Sequence, residues 1–320
     1  SYLQKQGHGA LVDTPGGEWY YASLTARPWN HETESSTDPR GWSTLGRETS
    51  IQKVEWDEAG WPRVVGGHGG QTFVEAPKDA ILTEAPADHS QHDEFTDAKL
   101  DMNWNTLRVP FSEEFGSTGD GSLKLIGRGS LVNYHDLSLI ARRWQAFYFD
   151  AETKVKFDPF SYQSMAGLTN YYNHSHWSWI FITKNDEGQS VIEVAENKGG
   201  QRNGTYTSYL KDDAIVIPEG TEYVWFKTKV RKESYTYEYS FNGTDWTEVP
   251  VVLDAAVLSD DYVVQSYGGF FTGAYVGLAA VDYSGYDTTA EFDYFDYKEL
   301  GDKQLEDGSY SWEASESRFG

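Results

Sequence analysis

Histidines and carboxylates are the side chains here that could move protons or hold a metal. His174 and His176 stand two apart, the spacing that puts two imidazoles on one face of a strand, and His89, His92 and Asp93 form a looser group. Neither set has a firm third ligand nearby in sequence, so both are expected to be surface histidines. Asp212-Asp213 and Asp260-Asp261 offer oxygens to calcium, but no cation-loop spacing surrounds them and solvated turns are the expectation. His8 lies between Gly7 and Gly9, where the backbone can approach other groups closely, yet a lone imidazole without carboxylate neighbours is a weak metal site. Arg47 could pair with Glu48 or Glu55. Phe270 and Phe271 are adjacent, so within a strand they would point to opposite faces and only one could line a site. No Gly-x-Ser-x-Gly, phosphate loop or dinucleotide fingerprint occurs.

Composition narrows the partners these residues could serve. The formal charge of −24 sets up a potential that repels nucleic acid and anionic membranes, so a neutral partner fits better. Aromatics make up 16% of the chain (12 Trp, 22 Tyr, 16 Phe), and exposed aromatic faces are a common way to bind sugar rings, although Tyr and Trp also favour strands for packing reasons. With no cysteine there are no disulfides or thiolate metal sites, which agrees with a cytoplasmic home. No apolar run reaches membrane-spanning length, and Ser1 to Ala10 shows no signal peptide. The chain starts at Ser1, so a signal on preceding sequence, and hence secretion, stays open. The sequons at Asn173, Asn203 and Asn242 read as turns.

The elements that must position these residues are strands. At 320 residues the chain is expected to hold two units of unequal size, and hardly any stretch keeps helical periodicity for three turns. Tyr235, Tyr237, Tyr239 and Phe241 alternate with Thr236, Glu238 and Ser240, and Asn242-Gly243 predicts a tight hairpin with positive φ values before Trp246 to Val249 returns. Further strands are predicted at 179–183, 191–195, 223–230 and 274–281, spaced as in a sandwich. Residues 1–76 differ, with Gly-rich turns between very short strands and aromatic punctuation, a texture that suits propeller blades. The Pro- and Ala-rich stretch 77–92 reads as a linker, 93–300 as the sandwich, and 301–320 as a polar tail.

Three groups of segments together resemble the β-xylosidases and α-L-arabinofuranosidases of glycoside hydrolase family 43. They are Gly7-His8-Gly9-Ala10-Leu11-Val12-Asp13-Thr14 with Gly17-Glu18-Trp19-Tyr20; then Leu45-Gly46-Arg47-Glu48-Thr49 leading into residues 51–56 and Gly60-Trp61-Pro62; and, in the sandwich, residues 139–143, 165–168 and 171–173 with Phe271-Thr272-Gly273-Ala274-Tyr275-Val276-Gly277. Their order and spacing agree along the chain up to Leu300. The resemblance implies an all-β protein: the end of a five-bladed β-propeller that carries the active site, followed by a jelly-roll-like, concanavalin-like β-sandwich that closes one side of it.

The family hydrolyses with inversion, using a carboxylate base, a carboxylic acid and a third carboxylate that tunes the acid. All three lie on earlier blades, so no acidic residue of this chain is assigned those roles, and the chain alone is expected to be inactive. Arg47 matches the family's pocket arginine, and Phe271, or its neighbour Phe270, matches the sandwich aromatic inserted into the pocket wall. His8 matches a histidine beneath the pocket that in some members binds a divalent ion such as calcium; the other reading is a hydrogen-bonded core histidine. No other cofactor is required. Expected partners are a xylo-oligosaccharide, from whose non-reducing end xylosyl or arabinofuranosyl units are removed, an upstream propeller fragment that completes the active site, and a second copy in a homo-oligomer. The reading from a different class is a non-catalytic carbohydrate-binding sandwich module.

Overall fold

Strand Val224–Arg231 shows how this sequence commits to sheet. Val224, Phe226, Thr228 and Val230 are buried while Trp225, Lys227, Lys229 and Arg231 are only partly covered, the two-residue alternation of a strand with one face on a core. Similar alternation runs through Tyr148–Lys156 and Thr289–Gly301, so these neighbours bury one common face. The computed structural model describes residues 3–29, 41–67, 71–81, 88–199, 206–266, 271–301 and 303–311. Among them the fold is all-β, with a single α-helix at Asp260–Ser266 and two short 3-10 turns.

The first sheet is an antiparallel meander of β1 (Gln4–Asp13), β2 (Trp19–Ala26), β3 (Glu48–Trp56) and β4 (Pro62–Val64), in that spatial order. This is the form of one propeller blade. Its β1 edge is irregular, with register shifts at Gly7 and before Ala10. Leu11, Val12, Ile51, Trp56 and Trp61 are exposed on this sheet.

From Gln91 onward two larger sheets pack face to face. One runs in the order Thr207–Ser208, Ser190–Lys198, His176–Lys184, Ser164–Asn173, Tyr275–Asp282, Ser138–Arg143. The other runs Thr247–Glu248, Ser234–Ser240, Val224–Arg231, Tyr148–Lys156, Thr289–Gly301, Ser122–Ile126, Gly116–Gly119. Gln91–Asp93 pairs with Tyr297, Asp296 and Phe295, so this sheet takes in the end of the 77–92 stretch. The interface holds Trp144, Phe149, Phe226, Tyr235, Tyr237, Phe292 and Tyr297, all buried. Several of its polar groups are matched within it: Asn170 Nδ2 donates to Thr228 Oγ1 and Tyr237 OH, Trp144 Nε1 donates to Asn170 Oδ1, and Tyr235 OH donates to Ser178 Oγ. A satisfied buried network of this kind fixes the register of the two sheets, because any slip leaves donors unpaired.

The hairpin after Tyr235 is present, with Glu238 opposite Glu248 and Tyr239 opposite Thr247. Its turn is longer than the predicted two-residue one. Only Gly243 takes a positive φ, 75°, while Asn242 instead accepts from the Thr244 and Asp245 backbone N–H groups through its side chain. Asparagine's short amide makes this local bond at no cost to its own backbone, which removes the need for a left-handed conformation there. Within the stretch read as a tail, Lys303–Gln304 pairs with Tyr310–Ser311.

Candidate active-site wall

The loop before β3 and the loop before strand Tyr275–Asp282 meet backbone to backbone. Thr44 O accepts from Ala274 N at 2.7 Å, and Trp144 N in turn donates to Ala274 O. Gly46 and Gly273 sit against each other so closely that a Cβ on Gly273 would lie 2.6 Å from Gly46 N, and one on Gly46 would lie 2.7 Å from Gly273 N. Both have positive φ, 69° and 74°, so glycine answers here to a double demand of conformation and space.

Charged groups clamp the same junction. Asp261, 2% exposed, accepts from Lys5 Nζ at 2.5 Å and from Ser43 N at 2.7 Å. Asp260, 1% exposed, accepts from Tyr172 OH at 2.7 Å and Gly273 N at 3.2 Å, and burial pushes its carboxyl above the usual range. These two aspartates are therefore not solvated turn residues. The short helix that they open is packed against the blade, which removes them from water and makes backbone and lysine donors their solvent. Arg143 Nη2 adds a bond to Leu45 O, while its neighbour Arg142 points the other way and holds His89 O and Gln91 Oε1.

This junction carries two of the side chains that the resemblance singled out. Arg47 leaves the chain directly after Gly46, and its guanidinium lies over the Phe271 ring, 3.8 Å from the centroid. Glu48 does not pair with it, being held by Arg27 in a two-point contact of 2.7 and 2.8 Å, and Glu55 is exposed. Arg47 Nε is buried without a hydrogen-bond partner, and among the described residues no carboxylate pairs with this arginine. Phe271 is 42% exposed and lies outside the strand with a φ of 81°, so strand alternation does not decide its direction; the turn does. Phe270 lies outside the described residues.

His8 stands elsewhere on the blade, exposed on the irregular β1 edge with a φ of 51°. Close backbone approach does occur beside it, where a Cβ on Gly9 would meet Ala22 O at 2.4 Å. Among the described residues no group of three His, Asp or Glu gathers round it.

The histidines of the two candidate clusters find hydrogen-bond partners. His174 sits in a turn, its Nε2 2.8 Å from Tyr134 OH, so it shares no strand face with His176. His92 lies between Glu94 and Asp296, and His89 donates its backbone N–H to Glu299. His176 is not a surface histidine: it is fully buried against Asn173, Ser175 and the Tyr262 ring, because the two sheet faces beside it are both covered. Burial, and then the neighbouring His174, push its pKa down to about 4 from 6.5.

A pH dependence follows from that depression. Between those two values the unfolded chain takes up a proton that the folded chain refuses, so this contribution is complete above pH 6.5 and is lost as pH falls toward 4. We expect it to reach roughly 3 kcal/mol. Urea unfolding from pH 7.5 to 4.5 should show a shallower acid decline for His176→Asn than for the native chain, and parallel curves would refute it.

Residues 92–298 match the family described as Beta xylosidase C-terminal Concanavalin A-like domain, and residues 1–62 match Glycosyl hydrolases family 43. The chain belongs to glycoside hydrolase family 43. Among family 43 relatives, a Beta-xylosidase of Bacillus subtilis (strain 168) is 42% identical over 299 residues, covering 93% of this chain and 54% of that protein. A Putative beta-xylosidase of Escherichia coli (strain K12) is also 42% identical, covering 92% and 54%. The solved xylan beta-1,4-xylosidase from Bacillus halodurans C-125 superposes with a TM-score of 0.81 at 36% identity, over 93% of this chain and 54% of that one. The chain thus spans about half the length of the curated family 43 relatives it matches.

Sequence reasoning did not find Lys5, Tyr172, Asp260 and Asp261 as parts of this junction. Their partners are 13 to 256 positions away, so no local pattern marks them. The glycines of Leu45-Gly46-Arg47 and Thr272-Gly273 were visible as motif ends, but not as a contacting pair.

Proposed function

We propose that this chain is the C-terminal part of an exo-acting glycosidase that removes xylosyl units, and arabinofuranosyl units, from the non-reducing ends of xylo-oligosaccharides with inversion. The observation that carries this reading is the Arg47 guanidinium, stacked on Phe271 across the blade–sandwich junction with, among the described residues, no carboxylate of its own. An arginine buried in part and left without an anion is electrostatically incomplete. A fork of donors at that place suits a sugar hydroxyl together with a catalytic carboxylate, whose ionised form its fixed charge would favour. The half-exposed Phe271 ring offers an apolar surface to a sugar face and shields the guanidinium from water on one side.

The proton chemistry then belongs to carboxylates on propeller blades outside these residues: one carboxylic acid protonates the departing oxygen while a carboxylate on the other side activates water. This chain contributes positioning and water exclusion. Assayed alone on 4-nitrophenyl β-D-xyloside it should give no turnover above a buffer blank, and co-expression with the missing blades should restore turnover. Clear turnover by the chain alone would place acid and base among its own side chains and overturn the reading.

A further inference from the structure

The far end of the sandwich carries aromatic surface and a cavity that the Arg47–Phe271 wall does not use. Phe160 and Tyr286 stack there with ring centroids 4.1 Å apart, although they are 56% and 65% exposed. Tyr162 and Tyr283, 66% and 55% exposed, lie on the same two loops. Those loops are tied to each other and to the sheet: Tyr283 N donates to Gln163 O at 3.0 Å, Thr183 Oγ1 donates to Tyr162 O, and the Asp282 carboxylate accepts from Ser284 N and Thr288 N. Four large aromatics held in water on fastened loops are costly unless something covers them.

Directly beside them, a cavity of about 510 Å³ opens between the two sheets. It begins at Phe157 and Asp158 on one loop and at Thr289 beyond the other, and its floor includes Val155, Ile217 and Val224. Its rim has nearly balanced charge. Lys124 and Lys156 face Asp158, Glu222 and Glu291, and Lys156 is already paired with Glu222 at 2.7 Å. A partly paired rim with a net of one negative charge exerts little pull on an ion, but it supplies many donors and acceptors for hydroxyl groups. Cavities of about 300–1,000 Å³ with an apolar floor and a few polar groups are the usual size for a small ligand.

The geometry points to a second saccharide site here, in which the outward face of the Phe160–Tyr286 pair covers one sugar face of a neutral polysaccharide chain and the cavity takes a substituent or chain end. An aromatic pair beside a rim of hydroxyl-binding groups suits a sugar chain better than a peptide, which would seek unpaired backbone edges or net charge. The two sites are well separated. Phe271 precedes strand Tyr275–Asp282 and Tyr283 follows it, and the antiparallel partner Ser164–Asn173 likewise runs from Gln163 to the Tyr172 that bonds Asp260. At about 3.3 Å per residue that places them roughly 30 Å apart. The inference shares the saccharide chemistry of the proposed function, but its test needs no turnover, so each can fail without the other.

Native-gel mobility of the full chain in gels cast with and without soluble neutral arabinoxylan tests it, with xylohexaose titration as a solution check. The native chain should be retarded by the polymer. Phe160→Ala and Tyr286→Ala should each weaken binding at least tenfold, Tyr286→Phe should retain it, and Trp61→Ala, which removes an exposed aromatic beside the first sheet, should leave it unchanged. Three results would overturn the proposal: no retardation of the native chain, retardation that persists in both Phe160→Ala and Tyr286→Ala, or a drop from dimer to monomer in sedimentation on Phe160→Ala without any effect of polymer, which would make this face a contact between copies.

Discussion

With Arg47 replaced by alanine, the complete enzyme should lose about 10²–10³-fold in kcat/KM on 4-nitrophenyl β-D-xyloside, the size typical of removing one preorganised donor from developing charge. Stability should hardly change, because among the described residues Arg47 makes no ion pair and its guanidinium rests on the half-exposed Phe271 ring. Arg47→Lys keeps the charge but loses the planar fork, so it should recover only part of the activity. A purely structural role would leave the pH profile in place. A positioning role would not: without the fixed positive charge the catalytic carboxylate proposed beside it would ionise less readily, and the acid limb of kcat/KM should move to higher pH. An Arg47→Ala enzyme with native kcat/KM and an unmoved profile would overturn the role proposed for this arginine.

Gly273→Ala is expected to be the most damaging single-methyl substitution at the junction. The added carbon would lie 2.6 Å from Gly46 N and from Leu45 C, both backbone atoms that cannot rotate away, and the residue keeps a φ of 74° that disfavours any Cβ. Relief requires the two loops to part, which breaks the Thr44–Ala274 bond and loosens the buried Lys5–Asp261 pair beside it. Breaking a buried pair and a fitted backbone contact together should cost roughly 3–5 kcal/mol. Denaturant unfolding followed by tryptophan fluorescence should then show the blade separating from the sandwich as an earlier transition. A single transition at the native midpoint would mean that the glycine contact is dispensable.

Much of this architecture is legible along the chain because it rests on local periodicity. The alternating tyrosines from Tyr235 onward announce a strand with one buried face, and Tyr235 and Tyr237 are indeed 1% exposed. Where a side chain competes with the backbone, as Asn242 does in the hairpin turn, local pattern gives the element and misses its form. The histidines show the same limit. His174 and His176 have one spacing but separate fates, since one falls in a turn and the other on a strand covered from both sides.

By itself the amino-acid order determined the strands, the all-β class, and, through motif segments that hold their spacing along most of the chain, the family. Those features depend on short-range alternation and on turn residues, which neighbours in sequence suffice to specify. Only the tertiary structure decided that Gly46 meets Gly273, that Asp260 and Asp261 are buried clamps, and that Arg47 lies on Phe271 while Glu48 goes to Arg27. Each of these joins groups from separate strands or loops, and whether a charge there is solvated, paired or left waiting for an anion depends on what the fold packs around it.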